Sequence, residues 1–330
     1  MTYSVGGLVQ AADYNTFQTN LNTIWSTGST DSGWGQTALS GVTANTVVTA
    51  TNWASLVNTL ATAGSQTTTT LTSRTAPVTG NVVAILSNVA TDITNVTTRR
   101  GFATSSGTTS STFSGTISKT TNTGTPGSTN GWSTTFLSTI FFPSADQARY
   151  FWNAGGLIRL DMSKTSTGLD LDEDWNTFVS TVGTLYISGR VNNASQVIAG
   201  TTYTGFTRIG GSGTPSPFLT TTGYYQLTPS VFTTTVFTLT SSVSPYSGTS
   251  SISVSLNRPS SNPQIFDVFT TWAQNSLATT VTEISGGTAT TSPFSGSFGT
   301  APTVLCRLIP PSTAQGLTNT WGTPTISCGI

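Results

Sequence analysis

The stretch Phe141–Leu160, FFPSADQARYFWNAGGLIRL, holds a helix and the start of a strand side by side, and so indicates a mixed α and β fold. Ser144 stands three residues before Gln147, which is the spacing of a capping box at the start of a helix. The pair Gly155-Gly156 follows and is typical of a helix end. The stretch therefore predicts a short helix running through Phe151, with a strand directly after it.

Alternating apolar and polar side chains mark that strand and several others further along the chain. Ile158, Leu160 and Met162 face one way in the predicted strand, while the charged residues between them face the other. The same period of two recurs at 251–256. Four further runs show strand character: Thr184–Val191, Val231–Thr240, Gln264–Thr271 and Thr303–Ile309. Short strands separated by Gly, Pro and Ser turns predict a mainly antiparallel β-sandwich or jelly-roll-like region.

The first hundred residues differ, because their apolar residues have helical spacing. A segment at about 12–25 and another at about 52–61 are copies of one pattern, 39 residues apart. Each copy has a short apolar lead-in, a small polar residue (Asp13 or Asn52), an aromatic residue on the first turn and then the helix. Asp13 and Asn52 are predicted to cap their helices.

These helices, and a third predicted at about Asn81 to Thr97, need a partner surface for their apolar stripes. Their exposed faces carry Asn, Ser and Thr, which form helices poorly, so each helix is marginal alone. A bundle within one chain and a bundle between subunits both meet that need. The candidates for assembly contacts are Tyr14, Phe17, Leu21, Trp25, Trp53, Leu56 and Leu60.

The predicted fold class is therefore α+β, with the short helices first and the strands after them. The helical assembly or anchoring region occupies residues 1–100, and a linker or exposed strands rich in Ser, Thr and Gly follow at 101–131. A β domain with two short helices is predicted at 132–195. Its second helix carries the acids at 172–174 on its first turn, where the helix dipole favours them. A C-terminal β domain completes the chain at 196–330.

Charge is scarce throughout: 7% of the residues are charged, histidine is absent, and the net formal charge is zero. An ordinary globular domain carries roughly 25% charged residues. Without histidine there is no His-based nucleophilic triad, and without a basic field nucleic acid is not an expected partner. The acidic run from Asp170 spaces its side chains like a calcium loop but has Trp175 and Thr181 where such a loop needs Gly and Glu. We expect no enzyme activity, no cofactor and no metal.

Membrane and redox signals are equally sparse. No apolar run approaches the ~18 residues of a membrane span, and the N-terminal residues lack the pattern of a secretory signal, so folding in the cytoplasm of the producing cell is expected. Cys306 and Cys328 are 22 residues apart in predicted strands. Two buried free thiols are favoured, and a disulfide remains open if the protein meets an oxidising exterior.

Five aromatic residues lie in polar β or loop segments of the C-terminal half. Aromatic faces beside Asn and Thr suit sugar binding, and they also suit a core or a subunit interface, which is the favoured interpretation. As candidate contacts for a host surface glycan we name Phe218, Tyr224, Tyr225, Tyr246 and Trp272.

The Phe141–Leu160 stretch resembles one that recurs in virion structural proteins of tailed bacteriophages, cyanophages among them, as ADxARYFFNxGGxIR. Trp152 replaces the usual second phenylalanine, and a Trp-containing helix at Trp175 follows, as it does in that family. The opening Gly7–Asn15 and its second copy at Trp53 are similar to such proteins as well, so the resemblance covers about the first 190 residues.

The resemblance implies a component of the tail, the baseplate or a fibre that resides in the virion and is assembled in the host cytoplasm. Its partners would be other copies of itself, a trimer being the first choice, and other virion proteins. The alternative is a receptor-binding adhesin whose C-terminal β domain recognises a host surface glycan.

Overall fold

Helices occupy the first hundred residues, and strands with two further helices follow them. The computed structural model describes residues 10–28, 32–79, 88–107, 111–116, 121–123, 132–165, 175–180, 184–188, 196–198, 201–203, 206–207, 233–241, 248–257, 262, 264–274, 280–285, 288–293, 295–297 and 303–329. The helices are α1 (Ala11–Trp25), α2 (Ala50–Gln66), α3 (Val89–Thr98), α4 (Ala145–Asn153) and α5 (175–180), with a 3₁₀ turn at Arg100–Phe102.

The two copies of the N-terminal repeat begin alike, and both helices start slightly earlier than predicted, at Ala11 and Ala50. Gln10 and Thr49 are the N-caps, and Asp13 and Asn52 stand at the third helical position instead of capping. Each accepts a hydrogen bond from the backbone N–H of its cap residue, at 3.3 Å in α1 and 3.0 Å in α2. This is the return half of a capping box, which the small polar residue makes with its side chain.

The third helix is shorter than predicted in the part of the chain that the structure describes. It begins at Val89, after Asn88, and its apolar residues Val89, Ile93 and Val96 are buried. The earlier positions of the predicted stripe, 81–87, lie outside the described residues.

Helix α4 follows the prediction from its cap to its end. The Ser144 hydroxyl accepts a hydrogen bond from the backbone N–H of Gln147 at 3.2 Å, which confirms the predicted cap. After the helix, Gly155 has a φ of +107°, and a Cβ there would lie 2.6 Å from the Ala103 carbonyl oxygen. Only glycine fits this turn, which sends the chain directly into the next strand.

Sixteen strands lie in the described part of the chain. They are β1 (Ser111–Thr116), β2 (Thr121–Thr123), β3 (Trp132–Phe141), β4 (Leu157–Ser163), β5 (Leu185–Ile187), β6 (Gln196–Ile198), β7 (Thr201–Tyr203), β8 (Phe206–Thr207), β9 (Thr233–Ser241), β10 (Gly248–Asn257), β11 (Ile265–Gln274), β12 (Thr280–Ser285), β13 (Thr288–Pro293), β14 (Ser295–Ser297), β15 (Thr303–Ile309) and β16 (Thr325–Gly329). The segment predicted as a linker or exposed strands thus contributes β1 and β2.

Two five-stranded sheets dominate the β region. The first sheet has the order β1-β15-β4-β5-β8, and the second sheet has the order β16-β3-β11-β10-β9. The β5–β8 pair is parallel, and the other pairs are antiparallel. Three two-stranded ladders accompany them: β12–β13, β14–β2 and β6–β7. The predicted α+β class with mainly antiparallel strands is confirmed, while the sandwich or jelly-roll arrangement stays a prediction.

One hydrophobic core joins the helices and the two sheets. It takes side chains from α1 to α5, from β3, β10 and β11 of the second sheet, and from β4, β5 and β15 of the first. Polar contacts reinforce it over long sequence distances: Gln66 Nε2 donates to the carbonyl oxygens of Thr104 and Ala154, both at 2.7 Å. The backbone N–H of Thr318 donates to Gln36 Oε1 at 2.8 Å. The predicted division into four regions stays a prediction.

Candidate functional site

The aromatic residues predicted for assembly meet inside the chain. Tyr14, Phe17, Leu21, Trp53, Leu56 and Leu60 are at most 1% exposed. The Trp53 ring packs edge-on against Tyr14, with ring centroids 5.3 Å apart, and against Phe17, at 6.2 Å. The within-chain bundle is therefore the alternative that the structure adopts. These six side chains have no surface to offer a second subunit, so naming them as interface residues was wrong.

Trp25, the seventh candidate, is only half-buried. Its ring packs on the edge of the core against Trp34, with centroids 6.2 Å apart, and its Nε1 donates to the carbonyl oxygen of Thr37 at 2.9 Å. It therefore fixes the loop after α1, and part of its ring remains accessible.

Tyr14 carries the one polar atom of this aromatic cluster that titrates. Its hydroxyl donates to the carbonyl oxygen of Ser40 at 3.1 Å. Burial raises the pKa of Tyr14, and a hydrogen bond with Asn52 opposes this with a smaller effect. The phenol stays neutral at physiological pH and acts as a tie between helix and loop.

The glycan candidates are not brought together on a described surface. Trp272 is 0% exposed, and its ring stacks on Trp175 with centroids 5.4 Å apart and an angle of 11°. A side chain in this position holds α5 against the second sheet and does not contact a sugar, so its assignment as a glycan contact was wrong. The other four candidates (Phe218, Tyr224, Tyr225 and Tyr246) lie outside the described residues.

Several charges in the described part of the chain bind one another or the backbone. Arg149, 5% exposed, donates to the carbonyl oxygens of Thr27 (2.7 Å) and Ser32 and to Asp146 (2.8 Å). It thereby fixes the loop after α1 onto α4, a role that its sequence context does not signal.

A second group of charges lies on the first sheet. Asp161 accepts from Arg159 Nε at 3.0 Å, from Arg307 Nη1 at 2.8 Å and from the hydroxyl of Thr184 at 2.8 Å. The bonds link β4 to β15 and to Thr184, the residue before β5. The two cations and the carboxylate are each less than a third exposed, so the network is structural.

A third pair, Arg74 and Asp92, is nearly inaccessible. The distance from Arg74 Nη1 to Asp92 Oδ2 is 2.5 Å, and each side chain is 5% exposed. Beside the pair lies a cleft of about 320 Å³ between α2 and residues 69–74. Its charged lining is Arg74, which is already paired, so the cleft brings no free acid or base to a substrate.

Metal ligands are not grouped in the described part of the chain: it contains no cluster of three His, Cys, Asp or Glu side chains. The acidic run 170–174 lies outside that part. The described helices likewise include none that is long and apolar enough to cross a membrane.

Cys306 is a buried free thiol in β15, as the sequence favoured. Burial raises its pKa to about 12, against a smaller lowering by a hydrogen bond with Ser138 of β3. A thiol of this pKa is neutral and unreactive in the native state. The side chain of Cys328 lies outside the described residues.

The accessible feature that remains is the outer face of the second sheet, defined here by alternate residues of β3 and β11. Its members are Thr135, Leu137, Thr139, Phe141, Ile265, Asp267, Phe269 and Thr271, which are half-buried or exposed. Apolar rows (Leu137 beside Phe269, Phe141 beside Ile265) alternate with polar ones. In the polar rows the Thr135 and Thr271 hydroxyls lie 2.9 Å apart, and Thr139 donates to Asp267 at 2.8 Å.

Sequence reasoning missed this face because β3 and β11 carry large apolar residues on both sides. Phe136 and Ile140 point into the core, and Leu137 and Phe141 point out of it. The outer face could have been predicted from two neighbouring strands whose outward positions alternate between large apolar residues and threonines. Chemically the face can pack and hydrogen-bond, and it holds no arrangement of acid, base or nucleophile.

Comparison with known proteins gives no relative: no family model, no curated protein and no solved structure matches this chain.

Proposed function

We propose that the chain is a structural component of a tailed-bacteriophage particle, in the tail, the baseplate or a fibre. It acts through homo-oligomeric assembly, with a trimer as the first choice, and through docking on other virion proteins. It resides in the virion and catalyses no reaction.

The observation that carries this proposal is the use of charge. The described ion pairs hold helices, strands and loops together within the chain, as at Arg149, Arg74 and Asp161, while the outer face of the second sheet has one carboxylate, Asp267, bonded to Thr139. Burying a free charge costs several kcal/mol. Apart from Asp267, the face carries neutral side chains and is therefore cheap to desolvate, as a permanent contact in a particle requires.

The likeness of Phe141–Leu160 to tailed-phage virion proteins supports the same proposal. In this chain the stretch is a capped helix and a core strand, with Phe151 and Trp152 buried. It is a framework segment, and its role is to hold the two sheets and the N-terminal helices in one core.

The first experiment is light scattering of the purified chain at micromolar concentration, in 0.05 M and in 1 M NaCl. We expect a multimer whose size does not change with salt, because screening acts on charges and leaves contacts between neutral groups in place. A 34.2 kDa monomer at both salt concentrations would contradict homo-oligomeric assembly.

The second experiment places Phe141→Lys in the phage and counts copies of the chain per particle by quantitative mass spectrometry. Phe141 is 39% exposed on the outer face, and the matched control is Val47→Lys, at an 84% exposed loop residue. We expect fewer copies with the first change and an unaltered number with the second. Equal incorporation of the two variants would remove the outer face as the docking surface.

The adhesin alternative rests on the four aromatic residues at 218–246, since Trp272 is in the core. A glycan array probed with the full chain separates it from the structural role. Glycan binding that is lost in Tyr224→Ala with Tyr225→Ala would favour the adhesin, and an array without signal would remove it.

A further inference from the structure

We propose that two copies of this chain join through β9, each adding its β9 antiparallel to the other, so that the second sheets of both copies form one ten-stranded sheet. The inference rests on the proposed homo-oligomeric assembly and names its contact. The partner is therefore a second copy of this chain.

The edges of the two sheets differ in how they are protected. Of the four edge strands, β8 has two residues, too short to offer a ladder, and β1 and β16 lie against each other. The remaining edge strand, β9, has nine residues and pairs on one side with β10. Its other side has no strand partner among the residues that the structure describes.

The sequence of β9, TTTVFTLTS, contains none of the features that natural edge strands use against pairing. It has no charge, no proline and no glycine. Its ladder with β10 runs through nine consecutive pairs, from Thr233 opposite Leu256 to Ser241 opposite Gly248, without a bulge. A long, regular, uncharged edge is a template for another strand.

A second copy is the partner that this edge fits best. An antiparallel edge presents a pattern of donors and acceptors that matches itself after a two-fold rotation, so one surface suffices for both partners. The net formal charge of zero brings no repulsion between copies. Nine residues at about 3.4 Å each give a contact about 30 Å long.

Pairing through β9 also extends the outer face. Both outer faces would lie on sheets that are continuous across the two-fold axis, which doubles the surface available for docking. A two-fold contact builds even-numbered assemblies or joins two trimers, so it is compatible with a trimer held by other contacts.

The experiment is a cysteine scan. Single cysteines replace residues 233 to 241 in turn, and the protein is oxidised with copper phenanthroline. Residues facing each other across an antiparallel pair have Cα atoms about 4.5–5.5 Å apart, within the range of a disulfide. The wild type supplies the background from the native cysteines, and Val47→Cys, at an 84% exposed residue, supplies the collisional baseline.

We expect the yield of covalent dimer to peak at one position, or two adjacent ones, near residue 237 and to fall on both sides, at least five times above the Val47→Cys baseline. Hydrogen exchange gives an independent reading that needs no variant. The amides of β9 should gain protection as the protein concentration rises, while those of β1 do not change.

A flat scan at the baseline, together with unchanged exchange in β9, overturns the proposal. If light scattering still shows a multimer in that case, only the β9 contact fails and the proposed function stands. If the scan peaks at β9 but the chain is absent from purified particles, the β9 contact stands and the proposed function fails.

Discussion

Removing the carboxylate of Asp92 should destabilise the protein more than any change at an exposed charge. Asp92 lies in the first turn of α3 and accepts two bonds, from Arg74 Nη1 at 2.5 Å and from the backbone N–H of Thr72 at 3.1 Å. Through them α3 holds the segment that follows α2. In Asp92→Ala, the Arg74 guanidinium stays at a site where it is 5% exposed and loses its counter-charge.

The magnitude follows from the burial of both partners. Breaking a buried ion pair by removing one partner costs about 3–5 kcal/mol, because the other charge stays buried without compensation. Arg74 Nη1 keeps a bond to the Thr72 carbonyl oxygen at 3.2 Å, so we place Asp92→Ala at about 3 kcal/mol. Replacing both partners, by Arg74→Met with Asp92→Leu, should cost much less, since an apolar pair of similar volume leaves no buried charge.

The assay is urea unfolding followed by near-UV circular dichroism, for Asp92→Ala and for the double variant. The comparison variant is Asp146→Asn, whose carboxylate is 63% exposed. Its partner Arg149 is buried but keeps its bonds to the carbonyl oxygens of Thr27 and Ser32, so we expect a smaller cost, of about 1 kcal/mol. We expect the cost of Asp92→Ala to be the same in 0.1 M and 1 M NaCl, because a buried pair is little screened. If Asp92→Ala cost no more than Asp146→Asn, the pair would be solvated and the assignment of charges to the interior would be refuted.

Three further predictions concern a turn, a thiol and a buried amine. Gly155→Ala should cost about 1–3 kcal/mol from its backbone conformation and more from the 2.6 Å approach to the Ala103 carbonyl oxygen. Gly316→Ala has a φ of +94° and a Cβ 3.6 Å from the Thr62 side chain, an ordinary contact, so it should cost the strain alone; thermal melts compare the two variants. Cys306 should resist iodoacetamide at pH 8 in the native protein, since with a pKa of about 12 only about one thiol in 10,000 is ionised; peptide mass spectrometry showing rapid native labelling would contradict this. Burial lowers the pKa of Lys164 from 10.5 to about 8. Between these two pH values the unfolded state binds more protons than the folded state, so the free energy of unfolding should rise with pH. Urea titrations should find this rise reduced in Lys164→Met.

The local structure could be predicted wherever the backbone conformation is determined by a residue and its near neighbours in sequence. Ser144 and Gln147 predicted the start of α4, and Gly155 its end, because caps and positive φ depend on neighbours within four residues. The alternation around Ile252 predicted a strand with one buried side for the same reason, as that side chain is 0% exposed. The repeat is also visible in the sequence. Asp13, predicted as the cap, is instead the residue whose carboxylate accepts the hydrogen bond from the N–H of the cap, Gln10.

The tertiary partners could not be predicted, because they depend on residues far apart in sequence. Trp272 lies in a polar stretch, and only its contact with Trp175 shows that it is buried. The sequence pattern around Trp53 is consistent with a bundle within one chain and with a bundle between subunits. In the structure Trp53 packs against Tyr14 and Phe17 of the same chain. In the candidate site, hydrophobicity alone does not tell which side of β3 faces the core.

The hydroxyl groups of the outer face explain how a Thr-rich surface can be covered without leaving its hydroxyls unpaired. A hydroxyl buried without a partner costs free energy, so a Thr-rich face would normally need matching donors and acceptors on whatever docks there. The Thr135 and Thr271 hydroxyls, however, bond to each other across β3 and β11 at 2.9 Å, and the Thr139 hydroxyl bonds to Asp267. These groups have a hydrogen bond before any partner arrives, so a partner that covers the rows of Leu137 and Phe141 gains apolar burial and orphans none of them. The face is thereby suited to partners of neutral chemistry, as the proposed role in a particle requires.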